Sequence, residues 1–66
     1  MNIMVNGQTE SCTPNASVAQ FLAGRGHEAN TVVVECNGHI LAREAFAQTF
    51  LQQGDKLEIV HFVGGG

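Results

Sequence analysis

The sequence predicts an α+β domain, a mixed sheet of four to five strands with one main helix packed on one face and a short second helical segment. Three observations carry this. Asn6-Gly7 and Asn37-Gly38 each stand between two short runs of strand character. Val18, Phe21 and Leu22 recur at helical spacing. Lys56 to Val63 is almost continuously apolar, as a strand with neighbours on both sides must be.

Asn2 to Val5 alternates, with Ile3 and Val5 on one face and Asn2 and Met4 on the other, and reads as a strand. Asn-Gly is the strongest short hairpin signal, because both central residues of a type I′ turn need positive φ. Gln8 to Cys12 then returns antiparallel to the first strand. Pro14 to Ser17 breaks that strand and offers a helix start, with Asn15 or Ser17 as N-cap. The helix runs from Val18 to Arg25 and turns its apolar stripe to the sheet. Gly24 and Gly26 mark its end.

Thr31 to Cys36 is rich in β-branched residues and forms the third strand. After Asn37-Gly38, His39 to Leu41 is its short return partner. Residues 42–53 are helix-friendly, with Phe46 and Phe50 four apart and Leu51 beside them; propensity leaves open a full helix or a turn or two of irregular helix. Gly54-Asp55 stops this segment, Asp55 being placed to fix the turn through its side chain, and Lys56 to Val63 is the final strand. The order β-β-α-β-β-(α)-β is most compact with the last strand central, parallel to the first, and the helix on one face. That is the β-grasp architecture. The helix should then cover Ile3, Val5, Val32, Val34, Leu57 and Ile59.

Sixty-six residues make one domain with a modest core. Three basic residues (Arg25, Arg43, Lys56) against a net charge of −3 give no cationic patch, so nucleic acid is excluded as a partner class. No uninterrupted apolar stretch is longer than three residues, as in Val32-Val33-Val34, far too short for a bilayer, so no membrane partner is expected. No basic-then-apolar leader precedes the first strand. Cys12 and Cys36 lack metal-site spacing, and two free thiols without an export signal point to the cytoplasm. No metal site is expected either: His27, His39 and His61 fall on a loop, a short strand and the final strand without ligand spacing.

Gly64-Gly65-Gly66 follows the last strand directly. Glycines contribute nothing to a core and are costly to order, so the expected division is a domain over 1–63 and a flexible tail over 64–66. A terminal glycine leaves its carboxyl carbon uncrowded, and glycines behind it let the thread enter a narrow cleft. Once adenylated, such a carboxylate becomes an acyl donor to a sulfur or nitrogen nucleophile.

Several features in this order resemble the sulfur carrier proteins of thiamin biosynthesis, the ThiS family. They are residues 1–7 (MNIMVNG), 37–43 (NGHILAR), 51–60 (LQQGDKLEIV) and 63–66 (VGGG). The resemblance spans essentially the whole chain. It implies that the Gly66 carboxylate is adenylated by an E1-like enzyme (ThiF type) using ATP, with no cofactor bound to the carrier itself. Gly66 then becomes a thiocarboxylate that donates sulfur to thiazole synthase (ThiG type). Gly65 and Gly66 match the family's terminal pair. The departures are Ala42, where the family often has Pro, and Cys36, where it has an aliphatic residue or Ala. A carrier needs no catalytic side chain of its own, so none is expected.

Strand alternation sends Met4, Val33, Val60 and Phe62 to the face away from the helix, where they are expected to form one partner-binding patch. Two readings with the same tail chemistry compete, a molybdopterin synthase small subunit and a ubiquitin-like modifier. The longer size of the former family favours the thiamin carrier. A non-covalent β-grasp interaction module is the alternative from a different class.

Overall fold

The computed structural model describes residues 1–62. Five strands, β1 (Asn2–Val5), β2 (Gln8–Ser11), β3 (Val32–Cys36), β4 (His39–Leu41) and β5 (Lys56–His61), form one sheet in the order β2-β1-β5-β3-β4. β5 lies in the centre, parallel to β1 and antiparallel to β3. The helix α1 (Val18–Gly24) covers one face. Ile3, Val5, Val32, Val34, Leu57 and Ile59 are all buried, as the alternation requires, and Val18, Phe21 and Leu22 meet them from the helix.

Local chemistry sets the boundaries. Ser17 is the N-cap: its hydroxyl accepts from the Gln20 amide at 3.0 Å, while the Gln20 side chain accepts from the Ser17 amide at 2.9 Å. This reciprocal capping satisfies two of the helix's orphan donors. Asn15 instead takes a left-handed turn conformation at φ 66°. At the other end, the amide of His27 donates to Leu22 O and that of Gly26 to Ala23 O. This Schellman closure requires the positive φ of Gly26, here 77°.

Residues 42–53 do not form a full helix. A 3-10 helix spans Arg43–Gln48, and Thr49 leaves helical geometry at φ −102°, ψ 112°. The chain then runs extended beside the start of α1, where Leu51 N donates to Ala16 O and Val18 N to Thr49 O. The four-residue spacing of Phe46 and Phe50 therefore loses its helical meaning. Phe46 is buried, whereas Phe50 is 59% exposed. A second 3-10 turn, Ala29–Thr31, precedes β3.

Both Asn-Gly turns have the expected positive φ angles, and their asparagines do more than turn the chain. β1 ends at Val5, yet the Asn6 side chain continues its pairing with β5. Its Oδ1 accepts from Ile59 N at 2.7 Å and its Nδ2 donates to Ile59 O at 3.2 Å, so the side-chain amide replaces a peptide group in the ladder. Across the sheet, Asn37 Oδ1 accepts from Lys56 N at 3.0 Å and Asn37 Nδ2 donates to Asp55 Oδ1 at 3.1 Å. Asp55 also accepts from Gln52 N at 2.8 Å, fixing the Gly54 turn as expected.

Asn6→Gly keeps the φ of the turn and removes both side-chain hydrogen bonds. The expected loss is about 2 kcal/mol of stability in urea unfolding. Asn6→Ala should lose about 1 kcal/mol more, because alanine resists the left-handed conformation. An unchanged midpoint for Asn6→Gly would show that the side-chain rung contributes nothing.

Candidate functional site

The expected site residues lead to two regions: the sheet face opposite α1 and the end of β5. Lys56, Glu58 and Val60 on β5 alternate with the buried Leu57 and Ile59 and so face outward. Val33 stands directly across from Val60, and Glu35 from Glu58. Met4 on β1 pairs with Lys56, and Ile40 on β4 pairs with Glu35.

The four residues expected on this face are there and exposed: Met4 37%, Val33 43%, Val60 60% and Phe62 45%. They do not form one contiguous patch. Val33 and Val60 are cross-strand partners, with Phe62 two residues farther along and still donating its amide to Thr31 O at 3.2 Å. Met4 lies beside Lys56, four residues down the strand, a separation of roughly 13 Å. Glu58 and Glu35 face each other in between. The parallel register of β1 and β5 causes this, because β1 turns away at Asn6 before reaching the level of Val60. Ile40, 73% exposed, belongs to the same face and was not anticipated. Its alternation on a three-residue strand was too short a signal.

The expected strand over Lys56 to Val63 ends at His61. Val63 and the tail residues Gly64, Gly65 and Gly66 lie outside the described residues. The direction in which β5 delivers the chain is nonetheless set. It leaves the centre of the sheet at the end where Val33, Val60 and Phe62 gather.

Neither cysteine is in a disulfide. Cys12 is buried and Cys36 half-buried. Burial, with the Asp55 carboxylate as the smaller cause, pushes the Cys36 thiol up from its ordinary range, so it stays protonated at neutral pH. The core-side row of β5 ends in a contact that the sequence did not suggest. His61 Nε2 lies 3.0 Å from His27 Nδ1, with the rings inclined at 62°. Their separation of 34 residues hides the pair from any spacing rule. Beside it lies an open cavity of about 340 Å³, lined also by Val5, Asn6, Gln8, Glu10 and Ile59. Among the described residues no group of three or more His, Cys, Asp or Glu side chains is gathered as a metal site. No helix among them is long and apolar enough to cross a membrane.

Comparison with known proteins supplies the rest. The ThiS family model matches residues 3–66. A crystal structure of the thiamine biosynthesis protein ThiS from Geobacter metallireducens superposes with a TM-score of 0.85 at 38% identity, over 100% of both chains. The sulfur carrier protein ThiS of Bacillus subtilis is 40% identical over 50 residues, 76% of each chain. A thiazole synthase of Paramagnetospirillum magneticum is 36% identical over all of this chain, which spans only 20% of that relative's length. The chain likewise spans a fifth of a thiazole synthase of Magnetococcus marinus, at 33% identity. A matching family model over nearly every residue, and a matching fold at this level of identity, place the chain in the ThiS family.

Proposed function

We propose that this chain is a sulfur carrier of thiamin biosynthesis whose working group is the C-terminal carboxylate of Gly66. A carboxylate oxygen attacks the α-phosphorus of ATP in the site of an E1-like enzyme, releasing diphosphate and leaving an acyl adenylate. A sulfide-level sulfur nucleophile, hydrosulfide in the simplest case, then attacks the carbonyl carbon and displaces AMP, leaving a thiocarboxylate on Gly66. The carrier supplies recognition and delivery, and its partners supply catalysis.

The observation that carries this reading is the family match, which runs through Gly66 on a chain whose fold is similar to that of a ThiS structure. Thiazole synthase is the proposed acceptor of the sulfur. Two proteins of that name contain a stretch resembling this entire chain, which supports a working association between carrier and synthase. The protonated state of Cys36 also fits a carrier that holds sulfur on its terminus rather than on a side-chain thiolate.

Intact-mass analysis after incubation with ATP, the adenylating enzyme and a sulfur donor tests the reading. The expected product has gained the difference between sulfur and oxygen, located by fragmentation at Gly66. A product modified on Cys36, or no modification at all, would refute it.

The proposed docking surface for the adenylating enzyme is the apolar end of the open face: Val33, Val60 and Phe62, the end from which the chain leads to its tail. Val60→Glu or Phe62→Glu should lower the apparent affinity for the enzyme about tenfold or more while leaving the thermal transition in place, since both side chains are exposed. Met4→Glu, at the far end of the face, should change it little. Equal effects from Met4 and Val60 would dispose of the assignment.

A further inference from the structure

We propose that His27 and His61 form a two-imidazole binding site for a divalent late first-row transition metal, with Ni²⁺ as the closest geometric fit. The site would join the C-terminal end of α1 to the last residue of the central strand, and it is independent of the tail chemistry.

The donor spacing carries the proposal. For metal–nitrogen bonds of about 2.0–2.1 Å, two nitrogens 3.0 Å apart subtend roughly 95° at a shared metal. That is the angle between adjacent positions of a tetragonal or octahedral centre, the geometry preferred by Ni²⁺ and Cu²⁺, and imidazole suits both. The ring centroids are only 4.5 Å apart, so the rings meet obliquely rather than end to end. Binding then requires each ring to turn its lone pair beside the line joining the two nitrogens rather than along it, toward a common ion.

Both rings are placed by the fold. His27 follows the Schellman closure and its own amide donates to Leu22 O at 2.9 Å. His61 is the last residue of β5, paired with the buried Val32. The pair is partly exposed and opens on the neighbouring cavity, so water can complete the coordination.

Without metal, one ring donates to the other. On binding, that proton moves through solvent to the far nitrogen of its own ring, so both imidazoles bind in the neutral form. The charged groups around the pair are Glu10 on β2, Arg25 at the end of α1 and Glu28 next to His27. Glu10 and Arg25 are already paired with each other.

The test is titration of the folded chain with NiCl₂ in a Cys36→Ser background, which removes the half-buried thiol as a competing ligand. Calorimetry should give a one-to-one isotherm, and His27→Gln or His61→Gln should each weaken it at least tenfold. His39→Gln, on β4, should leave it unchanged. In the ¹H–¹⁵N spectrum the paramagnetic ion should broaden amides around residues 27 and 61 first. Binding that survives in either variant of the pair, or broadening centred on His39, would overturn the site. The circular dichroism of each variant should match the parent, which separates loss of a ligand from loss of the fold.

Discussion

A chain lacking Gly65 and Gly66 is expected to form no thiocarboxylate, with the thermal midpoint unchanged to within about 2 °C. The stability half of this expectation follows from where the core lies. Among the described residues every buried apolar side chain falls between Ile3 and Ile59, and the last sheet pairing is Val32 with His61. The chemical half follows from the proposed role of the carboxylate. Deletion alone removes length as well as the reacting group, so a sharper variant is the same chain carrying a C-terminal carboxamide. It keeps every side chain and both glycines but replaces the carboxylate oxygen that would attack ATP. It should be as inert as the deletion. A carboxamide that still acquires sulfur would end the proposal, and a deletion that lowers the midpoint by 10 °C would show that the tail is part of the body.

The second large effect concerns the body itself. Leu57→Ala should destabilise the fold by about 3–4 kcal/mol, the range for truncating a fully buried leucine. Leu57 has no exposed surface and lies on the central strand, against the helix-facing core. A domain of this size has roughly 3–10 kcal/mol of stability in total. The substitution should therefore lower the thermal midpoint by roughly 15–25 °C. Val60→Ala on the same strand gives the contrast. Its side chain is 60% exposed and points to the other face, so the expected change is within about 0.5 kcal/mol. Comparable losses for the two would mean that the two faces of β5 are not distinguished as described.

Most of this fold was legible before any coordinates. Alternation at Asn2–Val5 and the apolar run from Lys56 assigned both strands to their places, because period two leaves no choice of face once one side is buried. The Asn-Gly pairs gave both hairpins. Ser17 was one of two caps the sequence offered, with Asn15 the other, and the reciprocal role of Gln20 was not foreseen. Over residues 42–53 propensity left a full helix or a turn or two of irregular helix open, and the structure takes the second, a 3-10 segment that stops at Gln48. One expectation failed, for a definite reason. The single patch assumed that β1 runs alongside β5 to its end, whereas only two residue pairs of that parallel contact exist. His27 and His61 meet only because α1 folds back over the sheet, and no local pattern records that.

The same economy of contact at the centre has a consequence for synthesis. Before Lys56 is available, β1–β2 and β3–β4 are two unconnected hairpins, since nothing pairs β1 with β3 directly. A nascent or truncated polypeptide without its last strand would leave Ile3, Val5, Val32 and Val34 without their shared neighbour and expose them to proteases. Only a polypeptide translated through β5 can therefore close into a stable body.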